Sequence, residues 1–273
     1  MRLSKALLVF RKDWREVGRN WEVLTPILLV PLLFSVILPL IAVYAPGNVN
    51  TGSSPELLIE SLMRGAPDDV REMLAGFTED QQLTYVLMVY MFAPFFLLIP
   101  VMASSVIASD SFAGEKERKT IEALLATPLT DGALLFGKML ASFVPAMAVT
   151  ILSFLAYTVV VDLGTYSSFG SLLLPTLEWF LLIFLLTPAL SLAAIGLTVL
   201  ISSRVKGFKE AQQISVVLVI PIIGLFIGQG TGVLILGPLV ILVLTVILAV
   251  LDLIIFRFSV LMFKREKVLT TWK

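Results

Sequence analysis

Six long apolar runs constrain what this chain can fold into more than any other feature. A helix of about 20 apolar residues crosses the roughly 30 Å hydrocarbon core of a bilayer. We therefore predict an all-α membrane protein, a single transmembrane domain over residues 1–273, with spans at residues 21–44, 84–109, 136–161, 174–201, 214–227 and 239–261. The composition agrees, because 58% of the residues are hydrophobic and only 15% are charged.

The chain contains neither cysteine nor histidine. This excludes disulfides, thiolate or imidazole metal ligands, Cys or His nucleophiles and histidine-based proton switches. We therefore expect no catalytic residue, no metal site and no cofactor within this chain.

The N-terminal segment, residues 1–20, has its apolar residues at steps of three and four, which is typical of one face of a helix. Basic residues fill the remaining positions. This pattern predicts an amphipathic helix in the membrane interface, with tryptophans at headgroup level. The alternative is a cytosolic basic leader.

The segment between the first two spans, residues 45–83, carries helix-start signals of its own. Ser54-Pro55 and Pro67-Asp68 each favour the beginning of a helix. Thr78 and Gln81 have capping-box spacing and lead into the second span. We predict two short helices here.

The distribution of lysine and arginine predicts the orientation. Of 20 such residues, only Arg64 and Arg71 lie in the 45–83 segment. Cytoplasmic segments carry the excess of positive charge. We therefore predict a multi-pass protein of the plasma or inner membrane, with both termini in the cytoplasm and residues 45–83 outside.

A charged segment, residues 110–135, lies between the second and third spans. Asp110 or Ser111 is predicted to cap a helix that begins near Phe112, and Thr127-Pro128 is predicted to end it. Two pairs, Glu115–Lys119 and Arg118–Glu122, have the spacing of ion pairs on one helix face. A docking surface for a cytoplasmic partner and a simple solvated elbow both fit this pattern.

The sequence FAGEKERKTIEALLATPLT, followed by GKML, resembles the membrane subunit of type-2 ATP-binding-cassette (ABC) transporters. The basic N-terminus is similar to that family's interfacial connecting helix, KEAQQIS to its second cytoplasmic loop, and FKREKVL to its C-terminal pattern. The long outer segment resembles the sodium-extrusion-type branch.

The resemblance implies the permease subunit of an exporter, in which the charged segment forms a cytoplasmic coupling helix. It also implies a second copy of the chain or a homologous permease, and a separate ABC-type ATPase. The residues implied to contact that ATPase are Phe112, Glu115, Lys116, Glu117, Arg118, Thr120, Glu122, Leu124 and Leu125.

Nucleotide chemistry is expected in the partner, not in this chain. GEKERKT lacks the glycine that precedes the Lys-Ser/Thr of a phosphate-binding loop, because Arg118 stands there. We therefore expect this chain not to be an enzyme, with ATP and magnesium bound by the partner subunit. The remaining expected partner is membrane lipid, and no nucleic acid is expected.

Polar residues near the spans allow rival functions. Glu22, Lys138, Asp162 and Glu178 lie near predicted span ends, where snorkelling accommodates them. Asp252 is a possible intramembrane polar site if the last span begins near Leu239, whereas a span beginning near Thr231 leaves it at the inner interface. The glycine-rich residues 228–238 fit a re-entrant or broken segment. A stand-alone secondary transporter or channel and a non-transporting scaffold are the alternatives to a permease.

Overall fold

The computed structural model describes residues 3–44, 55–65, 68–120, 130–205 and 207–262. These residues form helices joined by short connections, with no strand among them. The helices are α1 (Leu3–Val17), α2 (Trp21–Tyr44), α3 (Pro55–Gly65), α4 (Asp68–Ala75), α5 (Glu79–Glu117), α6 (Asp131–Phe169), α7 (Leu177–Ser202), α8 (Phe208–Gly230) and α9 (Pro238–Met262).

Six of these helices, α2 and α5 to α9, are long and apolar enough to cross a membrane. This confirms the predicted all-α class and the six spans. The span ends differ from the prediction, because α5, α6 and α8 continue through polar residues that we expected to be loops. At the end of α5, Glu115 pairs with Lys12 and Lys138 of other helices, so the helix has no need to end before it.

α5 is the central helix of the bundle. In its most apolar stretch 72% of the residues are buried, against 11% for α9. It packs against α2, α6 and α7. Aromatic side chains fill the adjoining core, where Trp179 stacks on Tyr157 with ring centroids 4.9 Å apart and meets Phe96 edge-on.

The two short helices, α3 and α4, are present where the sequence predicted them. The capping box is confirmed, since Thr78 and Gln81 exchange both of its hydrogen bonds at the start of α5. α3 packs on the end of α8, where Ser61 Oγ donates to the carbonyl of Gly230 at 3.0 Å. Residues 231–237 are not helical, in agreement with the predicted broken segment, and their Ile235 and Leu236 are buried.

The reversal between α6 and α7 corrects two expectations. Residues 162–169 continue α6, although the predicted span ended at residue 161. Asp162 is buried rather than snorkelling, and its Oδ1 accepts hydrogen bonds from the backbone N–H groups of Leu173 (2.9 Å) and Leu174 (3.0 Å). A carboxylate can be buried here because backbone donors of the returning chain satisfy it.

Candidate functional site

Charged side chains from three helices meet at the end of α5. Lys138, from the start of α6, is completely buried, and its Nζ donates to Glu115 Oε2 at 2.6 Å and to the carbonyl of Ser111 at 2.6 Å. The same ammonium lies 3.5 Å from Asp13 Oδ2 of α1 and 5.3 Å from the centre of the Phe112 ring. The expectation that Lys138 snorkels is therefore wrong, because its partners lie inside the protein.

A second lysine completes this group. Lys12 Nζ contacts Glu115 Oε1 at 2.5 Å, and Ser111 Oγ donates to Asp13 Oδ2 at 2.7 Å. We call Lys12, Asp13, Glu115 and Lys138 the ionic cluster. Its two positive and two negative charges balance, which is the condition under which charges are tolerated in a protein interior.

The position of Lys12 keeps it charged. Burial lowers the pKa of this lysine, but its hydrogen bond to Glu115 and the negative charges of Glu115, Asp13 and Glu16 more than offset the burial. The pKa of Lys12 therefore lies above its ordinary value. Lys12 is therefore a cation at neutral pH.

α1 meets the bundle with only part of its apolar surface. Val9, Asp13 and Val17 are buried against the other helices, whereas Leu7 and Trp14 are about half exposed. The exposed stripe is free to contact lipid, as an interfacial helix requires. Position at the interface itself stays a prediction.

The predicted helix break at Asp110 is wrong. α5 continues through a π-helical turn, Asp110–Gly114, and ends at Glu117. Asp110 is buried and accepts hydrogen bonds from Arg118 Nη1 (3.0 Å) and Asn20 Nδ2 (3.3 Å) instead of capping a new helix. Lys119, with φ of 56°, then takes the chain out of the helix.

The end of α5 also holds the chain that enters α8. Glu117 Oε2 accepts a hydrogen bond from the backbone N–H of Phe208 at 2.9 Å, at the first residue of α8. Lys116 Nζ donates to the carbonyl of Val205 at 2.6 Å. A Cβ atom on Gly207 would lie 2.5 Å from Glu117 Oε2, so glycine is what allows this approach.

The structure divides the residues that the sequence nominated for partner contact. Phe112 and Glu115 are buried within the chain, Lys116 is partly buried, and Glu117, Arg118 and Thr120 are exposed. Glu115 pairs with Lys12 and Lys138 rather than with Lys119, and Arg118 pairs with Asp110. Glu122, Leu124 and Leu125 lie outside the described residues, and so does the Arg118–Glu122 pair.

An open cavity of about 660 Å³ adjoins the ionic cluster, and Lys12, Glu16, Arg19, Asn20, Asp110, Arg118 and Thr120 line it. Asp13, Glu16 and Glu115 bring three carboxylates close together there. Ammonium groups already neutralise these carboxylates, since Lys12 lies within 3.4 Å of Asp13 and Glu16 as well as against Glu115. The arrangement therefore favours an ion-pair network over a metal site.

The sequence pointed to Glu115 but missed its partners on α1 and α6. A usable signal existed, because Lys138 begins an apolar run and a lysine there needs an acidic partner. Asp13 carried a similar signal, since it interrupts a basic segment. Neither signal reveals which acid pairs with which base.

Asp252 lies within α9, the last helix long enough to span a membrane. α9 begins at Pro238 rather than near Thr231, and the depth of Asp252 in the membrane stays a prediction. At 1.5 Å per residue, Asp252 is about 21 Å along the helix. Its Oδ1 is buried and has no hydrogen-bond partner among the described residues.

The fold and this site define a class of protein, namely a six-span α-helical membrane protein whose central helix ends in a buried ionic cluster. Comparison with known proteins then identifies the family. Residues 7–254 match the sequence model of the ABC-2 family transporter proteins, and the chain belongs to that family. The predicted resemblance to type-2 ABC permeases is thereby confirmed.

A similar protein is the "ABC transporter permease protein NatB" of Bacillus subtilis (strain 168). The two sequences are 34% identical over 155 residues. The matched region covers 54% of this chain and 39% of the Bacillus protein, so the chain spans about two fifths of that relative's length.

Proposed function

We propose that this chain is the permease subunit of an ABC exporter. Two such subunits, identical or homologous, form the translocation pathway, and a separate cytoplasmic ATPase drives them. Membership of the ABC-2 family supports the proposal, as does the name of the Bacillus relative.

The ionic cluster is the observation that carries this proposal. It joins α1, α5 and α6 close to Glu117, where α5 ends and the rest of the charged segment follows. Glu117 and Lys116 connect the end of α5, next to the ionic cluster, to the start of α8. A force applied to the charged segment is therefore transmitted to several helices at once and is not dissipated in a loop.

In this proposal the ionic cluster lies on the cytoplasmic side of the membrane. Lys12, Arg118, Lys138 and Lys209 all lie on the side of the bundle where α5 ends and α8 begins, as the positive-inside rule requires. Both termini share that side, and α3 and α4 face outward. ATP and magnesium are bound by the partner, and this chain hydrolyses nothing.

The nominated contact residues take two roles in this proposal. Glu117, Arg118 and Thr120 are exposed and, with Glu122, Leu124 and Leu125, form the surface that meets the ATPase. Phe112 and Glu115 are buried and act within the chain, where they hold the end of α5 against Lys138.

Co-expression with the Walker A ATPase encoded nearest to this chain tests the proposal. We expect the two to copurify and to give ATP-driven transport in proteoliposomes. Glu122→Lys and Leu125→Asp should each lower both copurification and transport. Glu72→Lys on α4 is the matched control and should leave both unchanged. Full association and transport in the Glu122 and Leu125 variants would show that the contact lies elsewhere.

Asp252 favours a second candidate function, a transporter that works alone. Ionisable groups at membrane depth mark ion or proton pathways. Transport by the purified chain without an ATPase, abolished by Asp252→Asn, would establish that function instead.

A further inference from the structure

α5 contains a π-helical turn, Val86–Met91, in which the backbone departs from the α-helical hydrogen-bond pattern. Pro94 has no N–H, so it cannot donate to the carbonyl of Tyr90 as an α-helix requires. The N–H of Phe92 reaches back to the carbonyls of Leu87 and Tyr90 and not to that of Met88, four residues earlier. The turn therefore presents main-chain acceptors to its neighbours inside the bundle.

Three side chains from three different helices donate to three consecutive carbonyls of this turn. Tyr157 Oη of α6 donates to Met88 at 2.5 Å, and Trp179 Nε1 of α7 donates to Val89 at 3.0 Å. Gln229 Nε2 of α8 donates to Tyr90 at 2.7 Å. All three donors are buried, with at most 1% of each residue exposed.

The π-helical turns of other spans are supported differently. In α2 the hydroxyl of Ser35 bonds to Pro31 of the same helix, and in α7 the hydroxyl of Thr187 bonds to Ile183 of the same helix. The second π-turn of α5, Asp110–Gly114, again receives a donor from another helix, because Lys138 of α6 bonds to Ser111. Both ends of α5 are thus held in π register by neighbouring helices.

We propose that Tyr157, Trp179 and Gln229 are positioning residues for transport, which hold the outer part of α5 in the π register and release it during the cycle. Loss of the extra residue of a π-turn rotates the helix beyond it by about 100°. Packed helices change between discrete arrangements of this kind rather than deforming continuously. We call these three hydrogen bonds the latch. Its role in a transport cycle rests on the proposed ABC function, whereas the hydrogen bonds themselves do not.

Gln229 is the weakest part of this latch. Its Oε1 is buried without a hydrogen-bond partner in the described structure, while its Nε2 holds Tyr90. An unpaired buried acceptor costs free energy in the latched state. This cost offsets part of the stabilisation that the hydrogen bond of Gln229 gives, so this contact of the latch opens most easily.

The test uses the absence of native cysteine. Val86→Cys places a thiol at a fully buried position within the turn, and Val161→Cys places one at a fully buried position of α6. Labelling of each by a membrane-impermeant maleimide is measured in the full chain without nucleotide. Tyr157→Phe and Gln229→Met each remove one donor with little change in volume, whereas Trp179→Phe removes the third donor together with part of a buried ring. Thr187→Val is the matched control.

We expect each donor variant to speed labelling at position 86 about threefold to tenfold, the range set by one hydrogen bond, and to leave position 161 unchanged. Thr187→Val should leave both rates unchanged. Equal increases at both positions would mean general loosening, and no increase at position 86 would mean that no latch exists; either result overturns the proposal.

A second arm adds the ATPase and a non-hydrolysable nucleotide. Faster labelling at position 86 is expected, and an unchanged rate in a complex that transports would overturn release during the cycle. If the chain associates with no ATPase, the proposed function is overturned instead. The latch is then tested by the labelling rates without nucleotide alone.

Discussion

Lys138 is the residue on which the joint between α5 and α6 depends most. Lys138→Met leaves Glu115 buried with only Lys12 as a counter-charge, and removal of one partner of a buried pair costs about 3 kcal/mol or more. We expect a clear fall in the melting temperature of the purified protein. The exposed Lys209→Met is the control and should have almost no effect. Adding Glu115→Gln to Lys138→Met should recover part of the loss, and equal behaviour of both lysine variants would contradict the ionic cluster.

Gly207 gives a second prediction for a single residue. In Gly207→Ala the new Cβ displaces the end of the Glu117 side chain, so that Phe208 loses the acceptor at the start of α8. A lost helix cap costs about 1 kcal/mol. Thermal unfolding should show this loss for Gly207→Ala and not for Gly224→Ala, because a Cβ at Gly224 meets nothing within 4 Å. Identical melting temperatures for the two variants would contradict the proposed approach of Glu117.

At the scale of elements, Asp162 connects α6 to the chain that enters α7. Asp162→Leu removes the acceptor of two backbone N–H groups, whereas Asp162→Asn retains an oxygen at the same place. Hydrogen exchange at Leu173 and Leu174 should accelerate strongly in the leucine variant and only slightly in the asparagine variant. Equal exchange in both would show that another group protects these amides.

Helix starts were predictable from the sequence because they depend on neighbouring residues. Pro55, Asp68 and the Thr78–Gln81 pair begin helices where their local chemistry predicts. The false end at Asp110 has the opposite cause, since its carboxylate accepts from Arg118 and from Asn20, which is ninety positions away. A cap and a distant hydrogen bond place the same residue type at the same point, and only the fold distinguishes them.

At the scale of the whole molecule, the orientation is open to a direct test. Met73→Cys on α4 and Lys209→Cys on α8 place single thiols at exposed positions of opposite ends of the bundle. We expect an impermeant maleimide to label position 73 in intact cells and position 209 only after the membrane is opened. Labelling of position 209 in intact cells would reverse the topology.

The six spans and the family followed from the sequence, since hydropathy and the EKERKT region carry them directly. The site was predictable only in part, because burial turned Glu115 from a surface residue into an interior one. Its partners Lys12, Asp13 and Lys138 come from two other helices. Spacing along one helix contains no information about such pairings.

The ionic cluster also has a consequence for how such transporters diversify. All four of its charges belong to one chain, so the joint is complete before any other subunit arrives. The exposed residues next to it, including Arg118 and Thr120, are a separate set on the surface. Under the proposed function, substitutions at these surface positions would change which ATPase is recognised and leave the ionic cluster intact, so that one permease fold serves different ATPases.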